Sequence, residues 1–103
     1  MSKAILVIED EVVLAKNIAL YLERNGYEVR IAESAEGGLG MLEEFRPDAV
    51  VLDFNLPGLD GLQALARIEA FDPAVRTVMI TGHGNVELAV QAMKAGACDF
   101  LTK

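Results

Sequence analysis

The sequence predicts an α/β fold: one five-stranded parallel sheet in the order 2-1-3-4-5, with helices on both faces. Three observations predict the class and the parallel sheet, and 2-1-3-4-5 is a common order for a five-stranded chain of this type. Short apolar runs alternate with segments of helical period along the whole chain. Each interval between runs is long enough for a helical crossover, and strands joined that way are parallel with right-handed connections. Polar, reactive side chains stand at the ends of several runs, on the rim where open parallel sheets bind ligands.

Ala4–Ile8 (AILVI) is the first strand. Val13, Leu14, Ile18, Tyr21 and Leu22 recur near helical spacing and define the first helix, which Asn25-Gly26 stops. Tyr27–Ala32 alternates as an edge strand does. Ser34 caps a second helix that runs to about Phe45, with Pro47 just beyond it. Gly37, Gly38 and Gly40 each cost that helix roughly 1 kcal/mol relative to Ala, which makes it the least stable of the set. Ala49–Asp53 is the third strand. Asp60 or Gly61 opens a helix that ends near Phe71, before Asp72-Pro73. Thr77–Thr81 is the fourth strand. Asn85 caps a fourth helix with Val86, Ala89, Val90 and Met93 on one face, and Gly96 ends it. Cys98–Thr102 is a short fifth strand. Cys98 and the Met and Leu positions at helical spacing read as core. A fifth helix is needed where strands one, three and five leave one face partly bare. The chain therefore reads as a single domain over residues 1–103, shortened at its C-terminus or covered on its bare face by a partner.

Composition narrows the function classes. A chain of 103 residues with 52% hydrophobic content is one domain with a real core. A single cysteine rules out an internal disulfide and suits a reducing, cytoplasmic setting. No apolar run reaches the length of a membrane span or a signal peptide. A net charge of −7 argues against direct nucleic-acid binding. Solvated acidic surface accounts for that charge as well as a cation site does.

The stretch VVLDFNLPG, Val50–Gly58, ends an apolar strand on the carboxylate of Asp53. Such a group resists burial unless something pairs with it. Strand order reverses between strands one and three, and strand one ends in Glu9-Asp10-Glu11. Adjacent strands lie about 4.8 Å apart, so Glu9, Asp10 and Asp53 crowd one small volume. Their repulsion raises at least one pKa unless a cation intervenes. Mg²⁺, satisfied by one or two carboxylates and waters, is the natural resolution. Strand four ends in the hydroxyl of Thr81, before Gly82-His83-Gly84, and strand five is followed by Lys103. Carboxylates, a hydroxyl and an ammonium on one rim suit a phosphoryl group, and Asp53 is the nucleophile that forms an acyl phosphate. Plainer readings stand beside these. Glu11 is a solvated loop acid, Thr81 a β-former, His83 a loop residue, and Lys103 a frayed end.

Glu9-Asp10, Asp53, Thr81 and Lys103, each at its own strand end, resemble the response-regulator receiver domain of two-component signalling, a fold of flavodoxin-like strand order. LPGLDGL and ITGHGNVELAVQAMKAGACDFLTK are most similar to receivers of NtrC/FixJ-type transcriptional regulators. The resemblance implies that Asp53 is the phosphoacceptor. It implies Mg²⁺ bound by Asp10, Asp53 and the backbone carbonyl of Asn55, with Glu9 acting through water. Lys103 pairs with a phosphoryl oxygen, and Thr81 swings in to hydrogen-bond it. The Phe100 ring turns inward as Thr81 moves, changing the surface of the fourth helix and fifth strand. Asn55 and His83 tune how fast the phosphoryl group is hydrolysed. The implied partners are a sensor histidine kinase or phosphotransfer protein, and an output domain or a second copy at the changed surface. No membrane or direct nucleic-acid contact is implied. Glu9 departs from the commoner Asp, and Phe100 from the commoner Tyr.

The implied role is a regulatory domain that catalyses its own phosphorylation and dephosphorylation rather than an enzyme acting on others. An aspartate-nucleophile phosphatase is the alternative. Such enzymes commonly place a second acid two residues after the nucleophile, and here that position is Asn55. A flavin module of the same strand order fits poorly, since Glu9-Asp10-Glu11 repels a flavin phosphate. A degenerate, binding-only receiver lacks support, because the reactive residues are all present.

Overall fold

A computed structural model describes residues 3–54, 56, 61–82 and 86–102. The elements in chain order are β1 (Ala4–Ile8), α1 (Val12–Arg24), β2 (Glu28–Ala32), α2 (Ala35–Gly40), α3 (Leu42–Phe45), β3 (Ala49–Asp53), α4 (Gly61–Phe71), β4 (Arg76–Thr81), α5 (Val86–Lys94) and β5 (Asp99–Thr102). The strands form one sheet in the order β2-β1-β3-β4-β5, and every neighbouring pair is parallel. The predicted architecture and strand order are therefore those observed. No helix among the described residues is long and apolar enough to cross a membrane.

The two faces of the sheet are unequal. Alternate residues Leu6, Ile8, Val50, Leu52 and Met79 point to one side, where Ala35, Leu42, Phe45, Ala64, Leu65, Ile68 and Ala92 of α2 to α5 complete the main core. Each fully buried Leu or Ile there contributes about 1.5–3 kcal/mol. Ile5, Val7 and Val51 point to the other side, against Ala15, Ile18 and Leu22 of α1. Beyond α1 the second face opens into an apolar groove of about 400 Å³ between Ile18, Tyr21 and Leu22 on one wall and Val51, Val78 and Leu101 on the other. Strands β3, β4 and β5 line it, where the sequence predicts a partly bare face.

Several local expectations change. The predicted helix from Ser34 to Phe45 is two helices, α2 and α3, which meet at Met41. Ser34 caps as expected, its Oγ accepting from Gly37 N–H at 3.0 Å. The break follows from the glycines, where the Met41 N–H turns to the Gly38 carbonyl at 3.0 Å, one residue short of the α-helical partner. Gly38 itself lies against the Ile8 side chain, so close that any Cβ would collide with it. Its cost in helix propensity therefore buys nothing in the helix but permits close helix–sheet contact. Cys98 is exposed, not core: its N–H is tied to the Thr77 carbonyl at 2.8 Å while its side chain faces outward.

The first helix also packs differently from its apolar pattern. Val13 is 74% and Tyr21 68% exposed, because the buried stripe of α1 centres on Ala15 and Ala19. On α5, Val90 and Met93 are about half exposed and Ala92 is buried, while the side chains of Val86 and Ala89, the rest of the predicted apolar face, lie outside the described ones. Leu20 is likewise about half exposed. The proposed caps at Asp60 and Asn85 lie outside the described residues.

Two stability predictions follow from buried detail. Thr77 is fully buried and its Oγ1 has no hydrogen-bond partner. Thr77→Val should therefore stabilise the fold by about 1 kcal/mol, read as a rise of roughly 5 °C in melting temperature; a fall would rule this out. Gly96 has φ +115°, and a Cβ there would lie 2.7 Å from Cδ of Glu69. Gly96→Ala should cost about 1–2 kcal/mol from backbone strain alone, and more from the Glu69 contact. Urea unfolding should show Glu69→Ala recovering only the second part, and full recovery would mean that strain is absent.

Candidate functional site

Register builds the site before any side chain is considered. Ile8 of β1 lies level with Leu52 of β3, and Asp53 lies level with Ile80 of β4. Glu9, Asp53 and Thr81 therefore stand on one rim, at the C-terminal ends of three adjacent strands. Backbone bonds carry the sheet one step further at two of them. The Glu9 N–H donates to the Ala32 carbonyl at 3.0 Å, and the Phe54 N–H donates to the Ile80 carbonyl at 2.8 Å. These bonds hold the residues next to the carboxylates as firmly as the strands themselves.

Burial separates the acids. Glu9 is 0% and Asp53 1% exposed, whereas Asp10 is exposed. The Asp10 N–H donates to Glu9 Oε2 at 3.1 Å, which folds the Glu9 carboxylate back over the start of the loop to α1. One carboxylate oxygen from each of Glu9, Asp10 and Asp53 lies within 4.8 Å of the others. Opposite ligands of an octahedral Mg²⁺ are roughly 4.2 Å apart, since each oxygen sits about 2.1 Å from the ion. The three oxygens thus need little adjustment, and an acid acting through water needs less. Buried carboxylates this close repel one another unless a cation stands between them. The donor set is all oxygen, which suits a hard divalent ion.

Thr81 closes β4 and is fully buried, paired in register with Thr102. Phe100 pairs with Met79 and is half-buried against the main core. Glu11 is exposed, in keeping with its plainer reading as a solvated loop acid. Asn55, His83 and Lys103, which the sequence assigns to the site, lie outside the described residues. One contributor escaped the sequence reading. Gly61, the buried first residue of α4, packs against the Phe54 backbone beside Asp53. As a glycine it adds nothing to an apolar period, so only its place after the loop LPGLD could have drawn notice.

The family model of the response regulator receiver domain matches residues 5–103. The nitrogen assimilation regulatory protein NtrX of Azorhizobium caulinodans is 44% identical across 100% of this chain and 23% of its own length. The transcriptional regulatory protein FixJ of Rhizobium meliloti is 36% identical across 94% of this chain and 48% of its own. The chain thus spans a quarter to a half of these relatives. A response regulator from Burkholderia pseudomallei, solved with a phosphorylated aspartic acid, a calcium ion and citrate, superposes with a TM-score of 0.92 at 34% identity, covering 99% of this chain and 60% of that one. With the match running through every strand of the sheet, the chain belongs to the response regulator receiver domains of two-component signalling.

Proposed function

We propose that the domain is a phosphorylation-dependent switch in which Asp53 takes a phosphoryl group from the phosphohistidine of a histidine kinase or phosphotransfer protein. The observation that carries this reading is the meeting of buried Asp53 with Glu9 and Asp10 within 4.8 Å, where strand order reverses. The phosphorylated aspartic acid and calcium ion in the Burkholderia relative support it. When bound, Mg²⁺ neutralises the crowded carboxylates and the charge on phosphoryl oxygens. Asp10 and Asp53 would hold it directly and Glu9 through water, with the Asn55 carbonyl as the further ligand.

An Asp53 carboxylate oxygen attacks phosphorus. The P–N bond to the donor imidazole breaks, and its electron pair leaves with the ring. Thr81 donates its hydroxyl proton in a hydrogen bond to a phosphoryl oxygen, and the Lys103 ammonium pairs with another. Attack by water on phosphorus later releases inorganic phosphate and restores the carboxylate, at a rate tuned by Asn55 and His83. Movement of Thr81 draws the Phe100 ring inward and changes the surface of α5 and β5. An output partner reads that change, and the regulatory names of NtrX and FixJ favour a transcriptional one. The domain catalyses both halves of this cycle on itself, in a cytoplasmic setting.

Intact-protein mass after incubation with acetyl phosphate tests the chemistry. The expected result is a gain of one phosphoryl group that requires Mg²⁺ and is absent from Asp53→Asn. No gain while Mg²⁺ still binds would reject Asp53 as the acceptor. Melting curves test the metal separately. At ten times its dissociation constant, Mg²⁺ should add about 1.4 kcal/mol, a rise of several degrees; an unchanged midpoint in millimolar Mg²⁺ would count against the site. Asp53→Asn should stabilise the metal-free protein by about 1 kcal/mol through relief of repulsion, and a clear loss of stability would contradict that.

A further inference from the structure

We infer that Gly61 is a positioning residue for the metal and phosphoryl site: its lack of a side chain lets the Asp53–Phe54 backbone lie where the three carboxylates converge. The inference rests on the reading of Asp53 as a metal ligand and phosphoacceptor. A Cβ at Gly61 would lie 2.8 Å from Phe54 Cα, 3.0 Å from the Phe54 carbonyl oxygen and 2.8 Å from Met79 Cε. The Met79 methyl can swing aside, but the Phe54 main chain has no rotamer to change. Carbon atoms in ordinary contact sit at least about 3.5 Å apart, so a methyl group demands a shift of roughly 0.7 Å.

That shift has few places to go. On its far side Phe54 is held by its N–H bond to Ile80, at 2.8 Å. Its neighbour Asp53 is 1% exposed and shares a peptide with it. Moving Phe54 therefore turns the residue that carries the carboxylate, while metal ligands tolerate only about 0.2 Å. Backbone conformation is not the reason for glycine here, since the positive-φ glycines are Gly26 and Gly96. Space is the reason. The other described glycines meet only side chains or open space: Gly38 meets Ile8 and Ala32, Gly96 meets Glu69, and Gly37 meets Ser34 Oγ.

A merely structural glycine would cost stability and leave the metal site alone. Mg²⁺ titration of the parent chain, followed by amide resonances, separates the two roles. Gly61→Ala should weaken Mg²⁺ binding by about tenfold or more, as loss of a ligand's supporting contact does. Ile68→Val, which loosens the buried face of the same helix two turns beyond Gly61, should lower the melting temperature and keep the parental affinity. If Gly61→Ala proves too unstable, Gly61→Ala/Met79→Leu withdraws the thioether methyl and leaves only the backbone clash. In the parent chain the Gly61 amide should move with the same dissociation constant as that of Phe54. A folded Gly61 variant with affinity within about twofold of the parent, or a Gly61 amide that ignores Mg²⁺, overturns the inference. A parent chain that binds no Mg²⁺ overturns the metal reading, and this inference with it.

Discussion

Two carboxylates buried on neighbouring parallel strands are the constraint on which the rest of the molecule depends. Neither Glu9 nor Asp53 would tolerate that position on its own, since burying a charge without a partner is costly. They are held there by interior strands of the sheet. β1 and β3 are central in the sheet, and Leu6, Ile8, Val50 and Leu52 are fully buried on the main-core side. A slip of one residue in the β1–β3 register would turn those side chains toward α1 and carry the acids to the wrong face. Apolar burial thus fixes a register that brings the carboxylates of Glu9, Asp10 and Asp53 within 4.8 Å of one another, an all-oxygen group that could hold a metal ion.

The sheet transmits this rim unequally to its surroundings. β5 is a short edge strand, bonded to β4 alone. Along it, alternation sends Phe100 into the main core and Leu101 to the groove beside α1. Thr81 is level with Thr102 on the same strand pair. The end of β4 is therefore paired with an edge strand whose side chains lie on both faces of the sheet. Short edges of this kind belong to the low-stability end of a fold, where conformational change is easiest. The half-exposed Val90 and Met93 on α5 add apolar surface to the helix that leads into that strand.

What the sequence made legible follows from what a periodic pattern records. Alternation of apolar runs and helical stretches made the parallel sheet legible, and polar residues ending apolar strands marked Glu9, Asp10, Asp53 and Thr81, all of which the fold brings to one rim. Periodicity records polarity but not which side has a partner. Val13 and Tyr21 fit the apolar period of α1 yet face outward, because small Ala15 and Ala19 make the close approach. The same blindness put Met93 and Cys98 in the core, although Met93 is half exposed and only the main chain of Cys98 is tied down. Glycines carry no polarity signal, so the weakness of the helix from Ser34 to Phe45 was legible from propensity, but neither its break at Met41 nor the contact of Gly61 was.

Those glycines connect stability to site geometry. Judged by helix propensity alone, Gly38 within α2 and Gly61 at the head of α4 are losses of up to 1 kcal/mol each. In place, Gly38 lies on Ile8, the residue before Glu9, and Gly61 lies on Phe54, the residue after Asp53. Each helix thereby approaches the sheet more closely than a side chain would permit, and does so beside one of the two buried acids. The contacts differ in kind, since Ile8 offers a side chain and Phe54 its main chain. Filling the first gap strains a residue that has rotamers to spend, whereas filling the second moves the chain that carries the reactive carboxylate. Helical weakness at these positions is the physical counterpart of a rim held in place from beneath.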